Sequence, residues 1–423
     1  NLINDRGVHI CKSMLAYQQF GNGETPESTG KKSDHFVGDY YVRFSQWVAE
    51  NPEAEVRAQE LLRLWEAQDP QTLELWKKMN SWAVSGILKT YARTGIQFDS
   101  IYYESQTYKL GREEILKGLD KGVFSRRPDG AVVIDLPWKN SPEDEATAQK
   151  VLLRADGTSI YLTQDIGTAI SRQKDWPFQQ LIYVVANEQD YHFKVLFYVL
   201  ERLGFAWATN LYHLSYGMVN LPEGRMKSRE GTVVDADNLL DELRDGAIQE
   251  IQSKGRENAV EGLEATAESI ALGALHYYLL QASPSKDMIF NPQESLSFAG
   301  NTGPYLQYTG ARLSSMLAKA RESSLSGTVD ASLLSSQEEW DLVKLLAVFP
   351  ETVEKAALAR DPSVLAGFLY ETAKSFSRFY HECPILNAPE VNLVASRLAL
   401  AEAVLVVLKN GFELLNIPFL RSM

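Results

Sequence analysis

The sequence Leu181-Ile-Tyr-Val-Val-Ala-Asn-Glu-Gln-Asp190 opens the segment from which the fold class can be read. Its first five residues are nearly all apolar, as in a strand that is buried on both faces. A helical pattern follows over 188–203 and ends at Gly204, and a second apolar strand runs over 211–220. Strand, helix and strand in this order predict a parallel sheet with a right-handed crossover. Ligands bind such sheets beyond the carboxyl ends of the strands.

The rest of the chain predicts two domains. Residues 1–300 mix short strands with helices, and a helical insertion over about 50–95 is broken at Asp69-Pro70. Over residues 301–423 the apolar spacing is helical throughout, which indicates a bundle. We therefore expect an α/β protein in which a parallel-sheet domain is followed by an all-α helical bundle domain.

A first candidate site lies upstream of the Leu181 strand. The turn Asp156-Gly157 predicts a hairpin with strands at 151–154 and 159–163, and a helix begins with Asp165, close to Tyr161. A carboxylate near a buried strand end needs a partner, and a guanidinium group matches its two oxygens in a fork. Asp165 is therefore a candidate for guanidinium binding. A plain helix N-cap is the alternative.

Two further polar residues open the helix after the Leu181 strand. Gln189 and His192 stand where backbone donors favour anions and where side chains can reach a ribose or a carboxylate. A packed helix histidine is the alternative for His192. The sequence has no His-Glu-x-x-His pattern and two cysteines, so we predict no metal-ligating set of zinc type.

A basic loop at 224–231 follows the second strand, within Leu221-Pro-Glu-Gly-Arg-Met-Lys-Ser-Arg-Glu-Gly-Thr232. It is bounded by glycines, which allow it to hinge, and carries Arg225, Lys227 and Arg229 at alternate positions. Cations on such a loop suggest a clamp on the charge that develops on a polyphosphate during reaction. A solvated basic turn is the alternative.

The composition excludes several classes of protein. The net charge of -13 over 423 residues argues against a protein that coats nucleic acid nonspecifically. Two cysteines cannot form a disulfide framework and suggest a reducing compartment. We find no leader and no apolar run long enough to span a bilayer. The chain starts at Asn1 with what reads as the end of a strand, so we expect an N-terminal truncation.

Several motifs, in order, resemble class I arginyl-tRNA synthetases over essentially the whole chain. The most informative are Tyr161-Leu-Thr-Gln-Asp-Ile-Gly167, which resembles the arginine pocket, and Met226-Lys-Ser-Arg-Glu-Gly231, which resembles the Lys-Met-Ser-Lys-Ser signature. Asn301-Thr-Gly-Pro-Tyr-Leu-Gln-Tyr308 is similar to the start of the anticodon-binding domain. Further similar segments are 4–15, 23–28, 38–42 and 414–423.

The resemblance implies roles for individual residues. Arginine is expected to be bound by Tyr161, Asp165 and Gln189. The residues expected to bind ATP are His192, Met218, Met226, Lys227, Ser228 and Arg229, of which Lys227 and Arg229 are the catalytic candidates. Ser228 replaces the second lysine of the signature. The residues expected to bind tRNA are Arg312, Tyr380 and Met423, although Tyr380 could instead pack between Phe376 and Phe379.

The resemblance also implies an activity and a domain division. A Rossmann-type class I catalytic domain over 1–300 would join arginine to ATP, with Mg²⁺, to form arginyl-adenylate. The arginyl group would then pass to tRNA(Arg), whose anticodon the domain at 301–423 binds. We expect a cytoplasmic monomer with no membrane association.

One departure leaves alternatives open. The chain contains no His-x-Gly-His, which in the family lies upstream of the segment that resembles residues 4–15. We therefore expect the C-terminal two-thirds of the enzyme, inactive alone. The alternatives are a noncatalytic tRNA-binding or regulatory paralogue and a class I synthetase for another amino acid; the acidic Asp165 argues against the latter.

Overall fold

A computed structural model describes residues 1–138, 148–222, 235–255, 260, 262–323 and 327–423. The chain divides into two compact units, one over Asn1–Ser215 and the other over the described residues from Tyr216 onward. Helices dominate both units, and the strands are short. The predicted α/β class is confirmed. The described residues form small two-stranded parallel sheets and one three-stranded antiparallel sheet rather than one extended sheet.

The first unit mixes strands and helices. Its strands are β1 (Leu2–Ile3), β2 (Tyr102–Tyr103), β3 (Ser125–Arg126), β4 (Val132–Asp135), β5 (Gln149–Leu153), β6 (Leu181–Ala186) and β7 (Leu211–Tyr216). Its helices are α1 (Val8–Phe20), α2 (Pro26–Thr29), α3 (Ser33–Glu50), α4 (Glu53–Glu66), α5 (Pro70–Arg93), α6 (Glu104–Asp120), α7 (Tyr161–Asp175) and α8 (Asp190–Arg202).

The second unit is largely helical. Its elements are β8 (Val219–Asn220), β9 (Met288–Ile289), α9 (Ala236–Ser253), α10 (Leu263–Leu280), α11 (Pro292–Ser295), α12 (Gly303–Glu322), α13 (Gln337–Ala347), α14 (Phe349–Ala359), α15 (Ser363–Glu382) and α16 (Val391–Leu414).

The helical insertion and its break are where the sequence predicts them. The carboxylate of Asp69 accepts a hydrogen bond from the backbone N–H of Thr72 at 2.9 Å, and Pro70 occupies the first position of α5. This arrangement satisfies a free donor of the helix start and uses the preset backbone angle of proline. The apolar faces of α1, α3, α4 and α5 bury a core that includes Met14, Phe44 and Met79.

The segment at 181–220 departs from prediction in one respect. Strands β6 and β7 are hydrogen-bonded neighbours with α8 between them in sequence, as expected. The predicted strand at 211–220 is, however, interrupted after Tyr216. Gly217 donates its N–H to the carbonyl of Pro284 at 2.7 Å, and β8 then pairs with β9 in parallel. Strand β7 therefore ends at Tyr216, because the backbone N–H of the next residue, Gly217, bonds to Pro284.

The predicted hairpin is wrong in its second strand. Only Ser159 bridges to Leu153, and α7 begins at Tyr161. The Thr163 hydroxyl donates to the carbonyl of Leu152 at 2.7 Å and accepts from the N–H of Ile160 at 3.2 Å. These bonds favour a helix start in a segment whose alternating pattern also suited a strand.

Helix α16 contradicts the expectation that the chain has no long apolar run. Among the described residues, it is the one helix that is long and apolar enough to cross a membrane by length and composition. Core helices of soluble proteins can pass the same test. Within its unit, one face of α16 places Val404, Leu408 and Phe412 in a core with residues of α12 and α15.

Among the described residues of the second unit, Glu339 carries a fully buried charge, which allows a test of the unit's stability. Glu339 is 0% exposed, and its carboxylate receives Nε of Arg397 at 2.6 Å and the N–H of Ser336 at 2.8 Å. Glu339→Ala leaves Arg397 without this carboxylate partner. We expect the free energy of unfolding to fall by about 3 kcal/mol, measured by urea denaturation. Glu338→Ala, the same change one residue earlier, is the control, and an equal loss in both variants would contradict this account.

Candidate functional site

Helices α6 and α7 cross so closely that their backbones touch. A Cβ atom on Gly111 would lie 1.7 Å from the carbonyl oxygen of Thr163, and one on Gly167 would lie 2.3 Å from that of Thr107. Only glycine fits at these positions, because any other residue would overlap backbone atoms. The hydroxyl groups of Thr107 and Thr168 lie 2.8 Å apart at the same crossing. The N-terminal halves of the two helices are therefore held side by side.

Asp165 and His192 form a hydrogen-bonded pair between α7 and α8. Nε2 of His192 lies 2.6 Å from Oδ2 of Asp165, and the side chains are 21% and 24% exposed, respectively. The N-cap of α7 is Ile160, so the alternative that made Asp165 a plain N-cap is wrong. Among the described residues, Oδ1 of Asp165 has no hydrogen-bond partner. The carboxylate is thus held at one oxygen and open at the other.

Glu104 is a carboxyl group that the sequence analysis missed. It is the first residue of α6, directly after β2, and it is 3% exposed. Burial raises the pKa of Glu104 to about 7, and the negative charge of Asp165 adds to the rise. The two carboxyl groups therefore act on one another across the helix crossing. The position of Glu104 directly after β2 could have identified it, but a strand of two residues is too short to show a pattern in the sequence.

A buried arginine faces Glu104. Nη2 of Arg6 lies 2.7 Å from Oε1 of Glu66, and the guanidinium carbon lies 3.9 Å from the ring centroid of Tyr108. In the amide orientation that satisfies both neighbours, Gln164 donates to Oε1 of Glu104 at 3.0 Å and accepts from Nη1 of Arg6 at 2.8 Å. Arg6 is therefore committed to several partners within the unit.

Two acidic side chains, but one cationic side chain, Arg6, act on Glu104 among the described residues. Asp5 follows β1, the parallel partner of β2, and its carboxylate accepts from the backbone N–H of Ser105 at 2.8 Å and from its hydroxyl at 2.6 Å. Asp5 and Asp165 both raise the pKa of Glu104, whereas Arg6 lowers it. An additional cation would therefore be stabilised beside these three carboxyl groups.

Tyr161 and Gln189 lie near the starts of α7 and α8. Both side chains are exposed, at 60% for Tyr161. No hydrogen bond joins either one to Asp165 within the described part of the chain. Both residues lie in the same unit as Asp165. Their roles in binding arginine stay predictions.

Met218 belongs to the second unit. Its N–H donates to Oδ1 of Asp287 at 2.7 Å, and its carbonyl accepts from the N–H of Met288 at 2.9 Å. These bonds fix the backbone that enters the basic loop. The predicted ATP-binding residues of that loop lie outside the described residues; they are Met226, Lys227, Ser228 and Arg229.

The three residues predicted to bind tRNA line one cavity of the second unit. This cavity has a volume of about 470 Å³ and is lined by Arg312, Tyr380 and Met423 together with Tyr308 and Lys319. The guanidinium carbon of Arg312 lies 4.1 Å from the ring centroid of Tyr380. Such a stacked pair presents a planar, positively charged surface to the cavity.

Tyr380 also contacts the core, as its alternative interpretation requires. Its ring centroid lies 5.9 Å from that of Phe376, and the residue is only partly buried. A second cavity, of about 280 Å³, shares Tyr308 and Met423 with the first and adds Phe298 and Lys254. Tyr308 and Met423 therefore border both cavities, each of which is also lined by aromatic and cationic side chains.

Comparison with known proteins assigns both parts of the chain to a family. Residues 14–292 match tRNA synthetases class I (R), catalytic domain, and residues 306–423 match the DALR anticodon binding domain. The arginine–tRNA ligase of Treponema denticola is 59% identical over 431 residues, covering 100% of this chain and 72% of that protein. The ligase of Borrelia hermsii is 51% identical over 425 residues with the same coverage.

Solved structures agree with these sequence relatives. The arginyl-tRNA synthetase of Thermus thermophilus superposes with a TM-score of 0.81 at 26% identity, covering 100% of this chain and 75% of that one. The Plasmodium falciparum enzyme gives a TM-score of 0.77 at 20% identity, covering 100% and 69%, and supports the fold alone.

A class I catalytic domain followed by an anticodon-binding domain defines a class I aminoacyl-tRNA synthetase. The matches and identities specify the amino acid, because both sequence relatives are arginine–tRNA ligases. The chain belongs to the arginyl-tRNA synthetases, ligases that form an aminoacyl-tRNA. The predicted family and activity are confirmed, in preference to a noncatalytic paralogue or a synthetase for another amino acid.

The raised pKa of Glu104 predicts a pH dependence of stability. An acid whose pKa is higher in the folded state binds more protons in that state. Its stabilising contribution is therefore present below the pKa of the unfolded state and is lost as pH rises towards 7. Between pH 4.5 and pH 7, the free energy of unfolding of the wild type should fall by about 3 kcal/mol relative to that of Glu104→Gln. Unfolding of both proteins across this range measures it. Glu113→Gln, on the exposed face of α6, is the control and should follow the wild type; parallel curves for all three proteins would contradict the burial effect.

Proposed function

We propose that the first unit binds arginine with its guanidinium group against Asp165 and with Glu104 as a second negative group. The observation that supports this most directly is a carboxylate whose Oδ2 is held by His192 at 2.6 Å while Oδ1 has no partner among the described residues. A carboxylate held in this way presents a fixed edge to a planar guanidinium, which can donate two parallel hydrogen bonds.

Charge and shape together provide the selectivity of this proposed pocket. A guanidinium remains charged and forms the fork, whereas the ammonium of lysine is a point charge that does not. Tyr161 and Gln189 complete the pocket in this proposal, since both lie at helix starts beside the Asp165–His192 pair in sequence and are exposed to a ligand.

ATP is the partner that the family implies for the activation step. We propose that His192 and Met218 bind it together with the residues of the basic loop, Met226, Lys227, Ser228 and Arg229. Attack of the arginine carboxylate on the α-phosphate is a displacement, so these residues act by positioning and by stabilising charge on the leaving pyrophosphate. Lys227 and Arg229 carry that charge stabilisation.

Mg²⁺ is proposed to enter this site with ATP. His192 holds Asp165, and Ser105 holds Asp5. These carboxylates are therefore better placed to bind a cationic side chain than to surround a small metal ion as ligands. Mg²⁺ commonly keeps waters and binds through substrate phosphates. The ion would supply charge neutralisation on the phosphates of ATP.

The second unit is proposed to bind the anticodon arm of tRNA(Arg). A cavity of about 470 Å³ bordered by the Arg312–Tyr380 stack suits an unstacked base, and Met423 offers an apolar edge. Bases in single-stranded loops are read by stacking and by contacts to their edges. The boundary between the catalytic and anticodon-binding domains is proposed to lie between residues 300 and 301. The enzyme is proposed to act as a cytoplasmic monomer.

The arginine pocket is tested by Asp165→Asn in the protein translated from the complete reading frame. The change removes a charge-assisted contact worth about 1.5–3 kcal/mol, so the KM for arginine should rise roughly 10- to 100-fold. Arginine-dependent exchange of pyrophosphate into ATP measures it. Asp175→Asn, at the far end of α7, is the matched control. An unchanged KM in Asp165→Asn would show that the carboxylate does not bind arginine.

The anticodon surface is tested by Tyr380→Ala. Loss of one stacking side chain should weaken tRNA(Arg) binding by about 1–3 kcal/mol and reduce discrimination against a tRNA with a changed anticodon. Filter binding with both tRNAs measures these effects, and thermal melting reports on the core contact with Phe376. Trp340→Ala, an exposed aromatic residue of the same unit, is the control. A destabilised Tyr380→Ala protein that still discriminates would favour the packing interpretation.

A further inference from the structure

We propose that His213 is a positioning residue of the arginine pocket, which acts by holding the start of α8 against the sheet. His213 lies on β7 and was not singled out by the sequence analysis. The inference rests on the proposed function, because it assumes that the start of α8 carries the groups that bind arginine.

His213 joins the end of one strand to the start of a helix. Its Nε2 lies 2.9 Å from the carbonyl oxygen of Val185, near the end of β6. A carbonyl oxygen can only accept, so the ring donates through Nε2. Its Nδ1 lies 3.3 Å from Oδ1 of Asp190, the first residue of α8. One ring therefore contacts both ends of the turn that carries Gln189.

The ring of His213 is itself held in place. Its side chain is 10% exposed, and its centroid lies 4.4 Å from that of Phe193 on α8. Phe193 also packs against Tyr183 of β6, at 4.9 Å between centroids. Because packing already confines this ring, its hydrogen bonds form with little further loss of side-chain entropy. An exposed histidine would lose more.

The start of α8 lacks a side-chain cap. The N-cap residue of α8 is Gln189, and its side chain makes no capping hydrogen bond. Side-chain caps ordinarily satisfy and fix the first turn of a helix. Here two histidine rings flank that turn. His213 donates to the carbonyl of Val185 and packs on Phe193 of α8. His192 is hydrogen-bonded to Asp165 of α7. The turn is therefore held by β7 and by α7 rather than by its own cap.

The consequence for arginine follows from this geometry. If the turn shifts, His192 no longer holds Oδ2 of Asp165 in the same place, and Gln189 moves with it. Small displacements of binding groups are costly because hydrogen bonds depend steeply on distance and angle. A donor at the Nε2 position of residue 213 is thus required for full affinity towards arginine, although the residue makes no contact with the substrate itself.

Three variants of residue 213 separate positioning from packing. His213→Leu removes both ring nitrogens, His213→Asn retains a donor only near the Nδ1 position, and His213→Gln retains one near the Nε2 position. In the protein translated from the complete reading frame, we expect the KM for arginine to rise about tenfold in the leucine and asparagine variants. The glutamine variant should recover to within about threefold of the wild type, which a purely structural role does not predict.

The readout is arginine-dependent pyrophosphate exchange, with kcat and KM determined separately and a melting temperature for each variant. His276→Leu is the matched control, since it also removes a histidine bond to a carbonyl, that of Asn416 in the second unit, and it should leave the arginine KM unchanged. An unchanged arginine KM in His213→Leu, or an equal rise in His213→Gln, overturns the inference. If the leucine variant does not fold, the asparagine and glutamine pair decides by the same criterion.

The same measurements separate this inference from the proposed function. If Asp165→Asn raises the arginine KM and the residue 213 variants do not, the pocket stands and the role of His213 is wrong. If Asp165→Asn leaves the KM unchanged, the proposed pocket itself fails, and the role of His213 fails with it.

Discussion

The contact between the backbones of α6 and α7 is the constraint on which the first unit depends. At Gly111 and Gly167 any side chain would overlap a carbonyl group of the other helix. The crossing places the start of α6, with Glu104, close enough to the start of α7 for the charge of Asp165 to act on it. The placement of these two carboxyl groups therefore depends on two residues that have no side chain.

The charges gathered at this crossing favour a cationic ligand. Asp5 and Asp165 act on the pKa of Glu104 together with Arg6, whose Nη atoms are hydrogen-bonded to Glu66 and Gln164. Burying acids without cations is costly, and burial and the neighbouring acids raise the pKa of Glu104 towards neutrality. A guanidinium group that enters the pocket would supply the missing positive charge.

Sequence patterns predicted long elements well and short ones poorly. Repeated apolar spacing predicted α8 and the helical bundle of residues 301–423, and Asp69-Pro70 located the break between α4 and α5. The segment at 159–163 was misread because its alternation suits a strand, whereas the hydroxyl of Thr163 stabilises a helix start. Glu104 was missed because β1 and β2 have two residues each, too few to show a period.

By itself, the sequence determined the order of elements, the family and most of the candidate residues, because apolar periodicity, proline, glycine and local motifs are properties of neighbouring residues. Only the tertiary structure decided which of these residues meet. The pairing of Asp165 with His192, and the hydrogen bond from His213 to Val185, join different elements, and the influence of Asp165 on Glu104 crosses two helices. Electrostatic and hydrogen-bond energies depend on distance in space, which the order of residues along the chain does not specify.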